Sequence, residues 1–283
     1  MAPTVESFLK IPADQLTPDA EQAFFSSLMT RNKTYKTTFQ GRFAEINQYL
    51  HREIECGHLR VHHVLDIGIS SGVSTLELYE DIHASDHAID LVGTDILVHA
   101  SLVRVFPGCR AMVDEEGFPL RFDVFGRGMA PWVRHSDYAN GFFLIRKVVN
   151  LAFTKIARHI LSIPEDGRAE RVDLVTPRLL ALKGIQILDD DIGQYNPDFC
   201  RRFDFIRVAN VLNRGYFADA TLDTMLRNIS HYLSGPGSNL LVVRTHQDLV
   251  NHGTLFRVTE GGHFEVVERF GDGSEIENLV LRA

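Results

Sequence analysis

The chain has 283 residues, 45% of them hydrophobic, and a formal net charge of −8. That length allows a large buried core, and the acidic balance excludes a general nucleic-acid binder while leaving room for a local basic groove. Cys56, Cys109 and Cys200 lie far apart without CxxC spacing, which speaks against a disulfide scaffold or a thiolate zinc site and fits a reducing compartment. The first fifteen residues do not read as a secretory signal. No stretch reaches the ~18 uninterrupted apolar residues of a membrane span. A soluble, cytoplasmic protein without a bound metal is expected.

Residues 19–55 read as helices, with Phe43, Ile46, Tyr49 and Leu50 at helical spacing. Residues 61–67 form a short, nearly continuous apolar strand, as expected where both faces are covered. A Gly/Ser turn follows, then a helix over 74–82 and a second strand over 88–95. This β-α-β order predicts a parallel sheet. The rhythm breaks over 98–170, which holds a hairpin turning near Glu116-Gly117 and a long helix within 139–161. In that helix Lys147, Asn150, Thr154 and Arg158 read as a narrow polar stripe beside a wide apolar arc, with Arg146 and Lys155 adding positive charge. Regular order returns at Val172. Thr176-Pro177 starts a helix, "GIQILDDDI", "FDFIRVANVL" and "SNLLVVRT" are three further strands, 219–233 is a helix, and the tail reads as two or three strands with tight Gly turns.

The turn after the first strand, "VLDIGISSG", poses the functional question. A dinucleotide fingerprint needs glycines at 68, 70 and 73, and the chain has Gly68, Ser70 and Val73. Asp66 would also aim a carboxylate at a pyrophosphate. A Walker loop fails because no G-K-[ST] follows. S-adenosylmethionine carries an ammonium and a sulfonium and no phosphate, so an acid at the loop start suits it. Backbone N–H groups of the turn can serve its carboxylate. The pattern is then Asp66, Gly68, Ser70, Gly72, with a small residue in place of the middle glycine. Asp95, ending the second strand, is placed for ribose hydroxyls. Asp190 and Asp191 follow the third strand, where one can accept the adenine amino group while Ile192 packs on the ring.

These segments, with "LVGTDI", "ILDDDI" and the closing strands, resemble the class I S-adenosylmethionine-dependent methyltransferases over roughly 55–97 and from 171 onward. The resemblance implies a Rossmann-like α/β fold: a seven-stranded, mostly parallel sheet with helices on both faces, its last two strands an antiparallel pair. It adds Ile96 and Asn210 to the cofactor contacts, with Tyr35 reaching from an N-terminal helical cap. The expected organisation is a cap over 1–55 and a catalytic domain over 56–283 that carries 98–170 as an inserted lid.

Asn213, Arg214, Tyr216 and His246 follow the fourth and fifth strands and are candidates to orient or deprotonate an acceptor. The expected activity is methyl transfer to O or N of a small, partly apolar molecule. "VANVLNRGYF" keeps a protein carboxyl methyltransferase as an alternative, and Ser70 keeps a non-catalytic S-adenosylmethionine-binding regulator. A nicotinamide oxidoreductase ranks behind these. The 139–161 helix is expected to bury its wide apolar arc against the domain or a second copy in a homodimer, or to act as a lid. Membrane contact and nucleic-acid binding are not expected.

Overall fold

Local signals set the first helices. Thr4 accepts from the Ser7 N–H to open α1 (Val5–Leu9), and Thr17 accepts from the Ala20 N–H to open α2 (Pro18–Phe25), with proline at its first position and Asp19 and Glu21 in its first turn. A computed structural model of the chain describes residues 3–31, 35–36, 39–83, 89–132, 142–163, 167–246 and 248–283. The chain divides into two units, Met1–Gln40 with Leu97–Ala181, and Gly41–Ile96 with Leu182–Ala283.

The first unit is built on an antiparallel sheet of β3 (His99–Phe106), β4 (Cys109–Val113), β5 (Pro119–Val124), β6 (Arg127–Met129) and β7 (Ala169–Asp173), in the order β6-β5-β4-β3-β7. The expected hairpin is β4–β5, and Gly117 takes φ +75° in its turn. One sheet face packs on α1 and α2 through Phe8, Phe24, Phe25, Leu102, Met112 and Leu120. The other packs on α5 (Phe142–Leu161) through Val103, Ala111, Phe122, Phe153 and Ala157. The 98–170 segment, expected as an inserted lid subdomain, supplies most of this sheet and shares one of its two cores with α1 and α2. β7 belongs to this sheet, so regular parallel order resumes later than Val172. Thr176 does cap a helix, α6 (Pro177–Leu180), of four residues.

The second unit contains α3 (Ala44–Glu55), β1 (His63–Ile67), α4 (Val73–His83), β2 (Asp90–Asp95), β8 (Ile185–Asp189), β9 (Phe205–Ala209), α7 (Asp219–Tyr232), β10 (Asn239–Thr245), β11 (Asn251–Val258), β12 (Phe264–Phe270) and α8 (Glu277–Val280). Its seven strands run β8-β2-β1-β9-β10-β11-β12. The first five are parallel, and β11 and β12 close the sheet as antiparallel neighbours. α3 and α4 cover one face through Phe43, Ile46, Leu50, Leu78 and Ile82. α7 and α8 cover the other through Leu222, Leu226, Ile229, Leu279 and Val280. α3 belongs to this unit, so the N-terminal boundary falls at Gln40/Gly41 and not at residue 55. Strand order reverses at β1, with β2 on one side and β9 on the other. In open α/β sheets the crevice at such a reversal, outside the carboxyl ends of the strands, is where ligands bind.

Phe24 is fully buried, stacked on Phe8 at 3.9 Å and edge-on to Phe25 at 5.3 Å. Phe24→Ala should destabilise the first unit by about 3–5 kcal/mol. Denaturant titration read by Trp132, the chain's single tryptophan and part of the same unit, checks this; an unshifted midpoint would contradict the packing.

Candidate functional site

The glycine turn lies at the carboxyl end of β1, as the sequence suggested, but its acid does not face outward. Asp66 is fully buried and opposes Arg207 across the β1–β9 register. Arg207 grips it bidentately, Nε to Oδ1 at 2.8 Å and Nη2 to Oδ2 at 2.6 Å. The Thr75 hydroxyl donates to Oδ2 at 2.7 Å. Arg207 Nη2 also reaches the Ser74 carbonyl at 3.1 Å, and its guanidinium lies 5.6 Å from the centre of the Phe43 ring. Asp66 is thus a structural counter-ion, and its expected role as a ligand-facing carboxylate is corrected. A buried charge needs a partner, and β1 and β9 place the two at one register position.

The turn spends these backbone donors within the protein, mostly on the end of β2. The N–H groups of Gly68 and Ile69 go to the Thr94 carbonyl, that of Gly72 goes to Ile69, and that of Ser70 goes to Asp95 Oδ2 at 2.8 Å. Ser70 has φ +55°, Gly68 +82° and Gly72 +76°, so the non-glycine residue accepts the left-handed conformation and its Asp95 contact helps to hold it there. A Cβ on Gly68 would lie 2.3 Å from Val211 Cγ2. The glycine is required by close packing of the 209–211 segment, independently of any ligand.

Asp95 and Ile96 end β2, with Asp95 half-buried and Ile96 61% exposed. β8 lies beside β2, and the Asp190 N–H bonds the Asp95 carbonyl at 3.0 Å, bringing the second acidic pair alongside. Asp190 accepts from Asn196 Nδ2 at 2.9 Å, and burial pushes its carboxyl above the ordinary range. Asp191 is exposed and closes its own loop, accepting from the Gly193 N–H at 2.9 Å. Ile192 is buried in the core among Val92, Phe199 and Leu226, so its expected place as an open wall for a ring is corrected.

Asn210, at φ +61°, accepts from the Thr245 N–H at 2.8 Å and ties β9 to β10. Asn213 is buried and accepts from the Gly215 N–H at 2.7 Å; it is a turn former. Arg214 bonds Asp219, Asn278 and the Glu275 carbonyl, anchoring its loop to the C-terminal turn. Its expected catalytic role is corrected to an anchoring one. Tyr216 is 66% exposed. His246 is exposed, its ring 4.4 Å from that of His252, and His252 Nδ1 accepts from the Asp272 N–H at 2.9 Å. Tyr35 belongs to the first unit, where it meets Trp132 edge-on at 5.5 Å.

Arg207 is the residue that sequence reading missed. The signal was present: an arginine inside an apolar strand covered on both faces needs a buried acid nearby, and Asp66 holds the matching position. Arg42, Asn47 and Glu77 join the same layer. The Gly41 N–H donates to Glu77 at 2.6 Å, Asn47 donates to Asp81 at 2.9 Å, and burial raises the Glu77 carboxyl above its ordinary range while it lowers the Arg42 guanidinium.

No family model matches the sequence, and no curated protein matches it. Several solved structures resemble the chain. They include N-methyltransferase NodS from Bradyrhizobium japonicum WM9 in complex with S-adenosyl-L-homocysteine, at 14% identity and TM-score 0.34 over 74% of this chain and 64% of that one. Phosphoethanolamine N-methyltransferase 2 of Haemonchus contortus matches at 11% identity and TM-score 0.28, over 71% of this chain and 28% of that one. A chain from Rhodobacter sphaeroides assigned to the Zn-dependent alcohol dehydrogenases matches at 12% identity and TM-score 0.30, over 70% and 45%. This chain spans less than two thirds of each of these three, and values this low assign neither activity nor substrate. What the structure itself gives is a mostly parallel seven-stranded sheet that ends in antiparallel strands, an arrangement that fits the class I methyltransferase fold.

Two predictions test the buried layer. Arg207→Met strands the Asp66 carboxylate and should cost about 3–5 kcal/mol, whereas Arg207→Met with Asp66→Leu should recover most of that loss; urea denaturation of both variants decides. The raised Glu77 carboxyl means that the folded state binds its proton more tightly than the unfolded chain does. Its contribution is therefore fully present below the ordinary carboxyl pKa and is lost as pH rises through the folded value. Glu77→Gln, which keeps an acceptor for the Gly41 N–H, should remove that loss and be relatively more stable at neutral pH than at pH 4. Melting temperatures across the acid range measure it.

Proposed function

We propose that the chain is an S-adenosylmethionine-dependent methyltransferase that acts on O or N of a small, partly apolar molecule. The observation that carries this is the Asp95 carboxylate at the reversal of strand order, bonded to the Ser70 N–H within a turn whose Gly68, Ile69 and Gly72 N–H groups are already spent. A pyrophosphate needs free backbone donors, so these spent N–H groups disfavour a dinucleotide. An adenosine whose ribose hydroxyls donate to Asp95 is accommodated. Asp66, engaged by Arg207, no longer supplies this discrimination, and Asp95 alone does not, because an acid at this place serves the ribose of nicotinamide cofactors as well.

The residues fit the adenosine end best: Asp95 for the ribose, the exposed Ile96 side chain against the ring, and Asp190 or Asp191 for the exocyclic amine. When bound, S-adenosylmethionine supplies an activated methyl group that needs only an aligned lone pair. The protein's task is then to position the acceptor and exclude water. Tyr216 after β9 and His246 after β10 lie at the ends of paired strands. They support an acceptor with an apolar or ring-bearing part, and the His246 imidazole is the group available to take its proton. One observation favours a second reading, a cofactor-binding regulator without turnover: Asp66, Asn213 and Arg214 are all engaged structurally.

Calorimetric titration with S-adenosylmethionine separates these readings from the nicotinamide one. Wild type should bind. Asp95→Ala should weaken binding by about 1–3 kcal/mol, the range for a lost hydrogen bond to a charged group, without the fall in stability expected of a buried-layer variant. An absence of binding to wild type overturns the proposal. Binding that never leads to methyl transfer across an amine and phenol panel favours the regulator.

A further inference from the structure

The outer face of α5 is the feature that the expected fold leaves unexplained. The sequence suggested a narrow polar stripe facing water and an apolar arc facing protein. The structure turns the helix differently. Asn150 is half-buried, its side chain donating to the Pro131 carbonyl at 2.8 Å, and Thr154 donates to Asn150 at 3.0 Å. Phe153, Ala157 and Ile160 pack on the sheet. What remains outside is Leu144 (60% exposed), Ile145 (59%), Val148 (66%) and Leu151 (60%). Lys147, Lys155, Arg158 and His159 are exposed with them. At 3.6 residues per turn, 144, 148, 151, 155 and 158 fall along one line, with 145, 147 and 159 flanking it.

Charge identifies the occupant. The helix holds two lysines, two arginines and no acid in twenty residues, inside a chain of net charge −8. Lys147, Lys155 and Arg158 have no ion-pair partner among the described residues, and Glu116, in the turn beside Arg158, is paired with Arg31. A second copy packed on this face would set cations against cations, which opposes a symmetric dimer. The exposed apolar residues are aliphatic, on a convex helix, without the exposed Trp or Tyr anchors common in protein hot spots. Aliphatic side chains that can enter the acyl boundary, beside long cationic ones that can reach headgroup phosphates, make an interfacial helix.

We propose that the outer face of α5 docks the protein on anionic membrane surfaces, lying in the headgroup plane. Among the described residues no helix is long and apolar enough to cross a membrane, so the contact is peripheral. It is independent of the methyltransferase reading.

Flotation of the full chain with vesicles tests this. Wild type should float with vesicles of equal phosphatidylcholine and phosphatidylserine, stay behind with phosphatidylcholine alone, and be released as salt rises. Lys147→Glu with Lys155→Glu should cut partitioning at least about tenfold, each lysine near an anionic surface accounting for roughly fivefold. Leu144→Ser with Leu151→Ser should lower it in low salt as well. All four positions are exposed, so circular dichroism melting should be unchanged; should a variant fail to fold, the lipid and salt comparisons on wild type still decide. No flotation with anionic vesicles overturns the proposal, as does equal flotation of wild type and both variants. Binding to polyglutamate but not to vesicles would overturn it in favour of an acidic polypeptide. Concentration-dependent dimerisation lost in the serine variant would do so in favour of a second copy.

Discussion

The second unit depends on one buried ion pair. Arg207 and Asp66 stand at the same register position of the two central strands, sealed beneath α3, α4 and Phe43. Neither charge is tolerable there alone. Together with the Thr75 hydroxyl and the Ser74 carbonyl they fix how β1, β9 and the start of α4 sit. The net worth of such a pair is small against an apolar replacement, while the penalty for breaking it is large. It links β1 and β9 at one register position and ties both to the start of α4, directly after the glycine turn.

That pair shifts the chemistry of the turn. With Asp66 neutralised internally, the negative charge at the mouth of the crevice comes from Asp95 and from the Asp190–Asp191 pair, all at the β2–β8 side. The β9–β10 side is closed by hydrogen bonds that Asn210, Asn213 and Arg214 make within the protein. What stays exposed there is Tyr216 and His246, the latter beside the ring of His252. The carboxyl ends of the strands are therefore asymmetric, with acids on the β2–β8 side and Tyr216 and His246 after β9 and β10.

The first unit follows different rules. Its antiparallel sheet has a core on each face, one from α1 and α2 and one from α5. The buried Arg121–Asp123 pair at 3.2 Å, with Asp123 also accepting from the Val5 N–H at 2.6 Å, fastens the N-terminal helix to β5. Residues before 40 belong with the inserted segment because Phe8, Phe24 and Phe25 bury their rings with Leu102, Met112 and Leu120 of its sheet.

By itself the sequence determined the parallel strands, the glycine turn, the Thr176 cap, the β4–β5 hairpin and the strands of the tail, whose antiparallel pairing came with the family resemblance. Each of these rests on local signals: apolar runs, positive-φ glycines and capping residues. It also placed Asp95 at the end of the second strand, where the structure has it bonded to the Ser70 N–H of the turn. Tertiary structure alone decided that Asp66 turns inward, since only strand pairing reveals that Arg207 lies opposite, 141 residues away. It alone buried Ile192, spent Arg214 on the C-terminal turn and set which arc of α5 meets water. These outcomes depend on contacts between residues distant in sequence, and a periodic pattern names the two faces of an element without saying what, if anything, covers them.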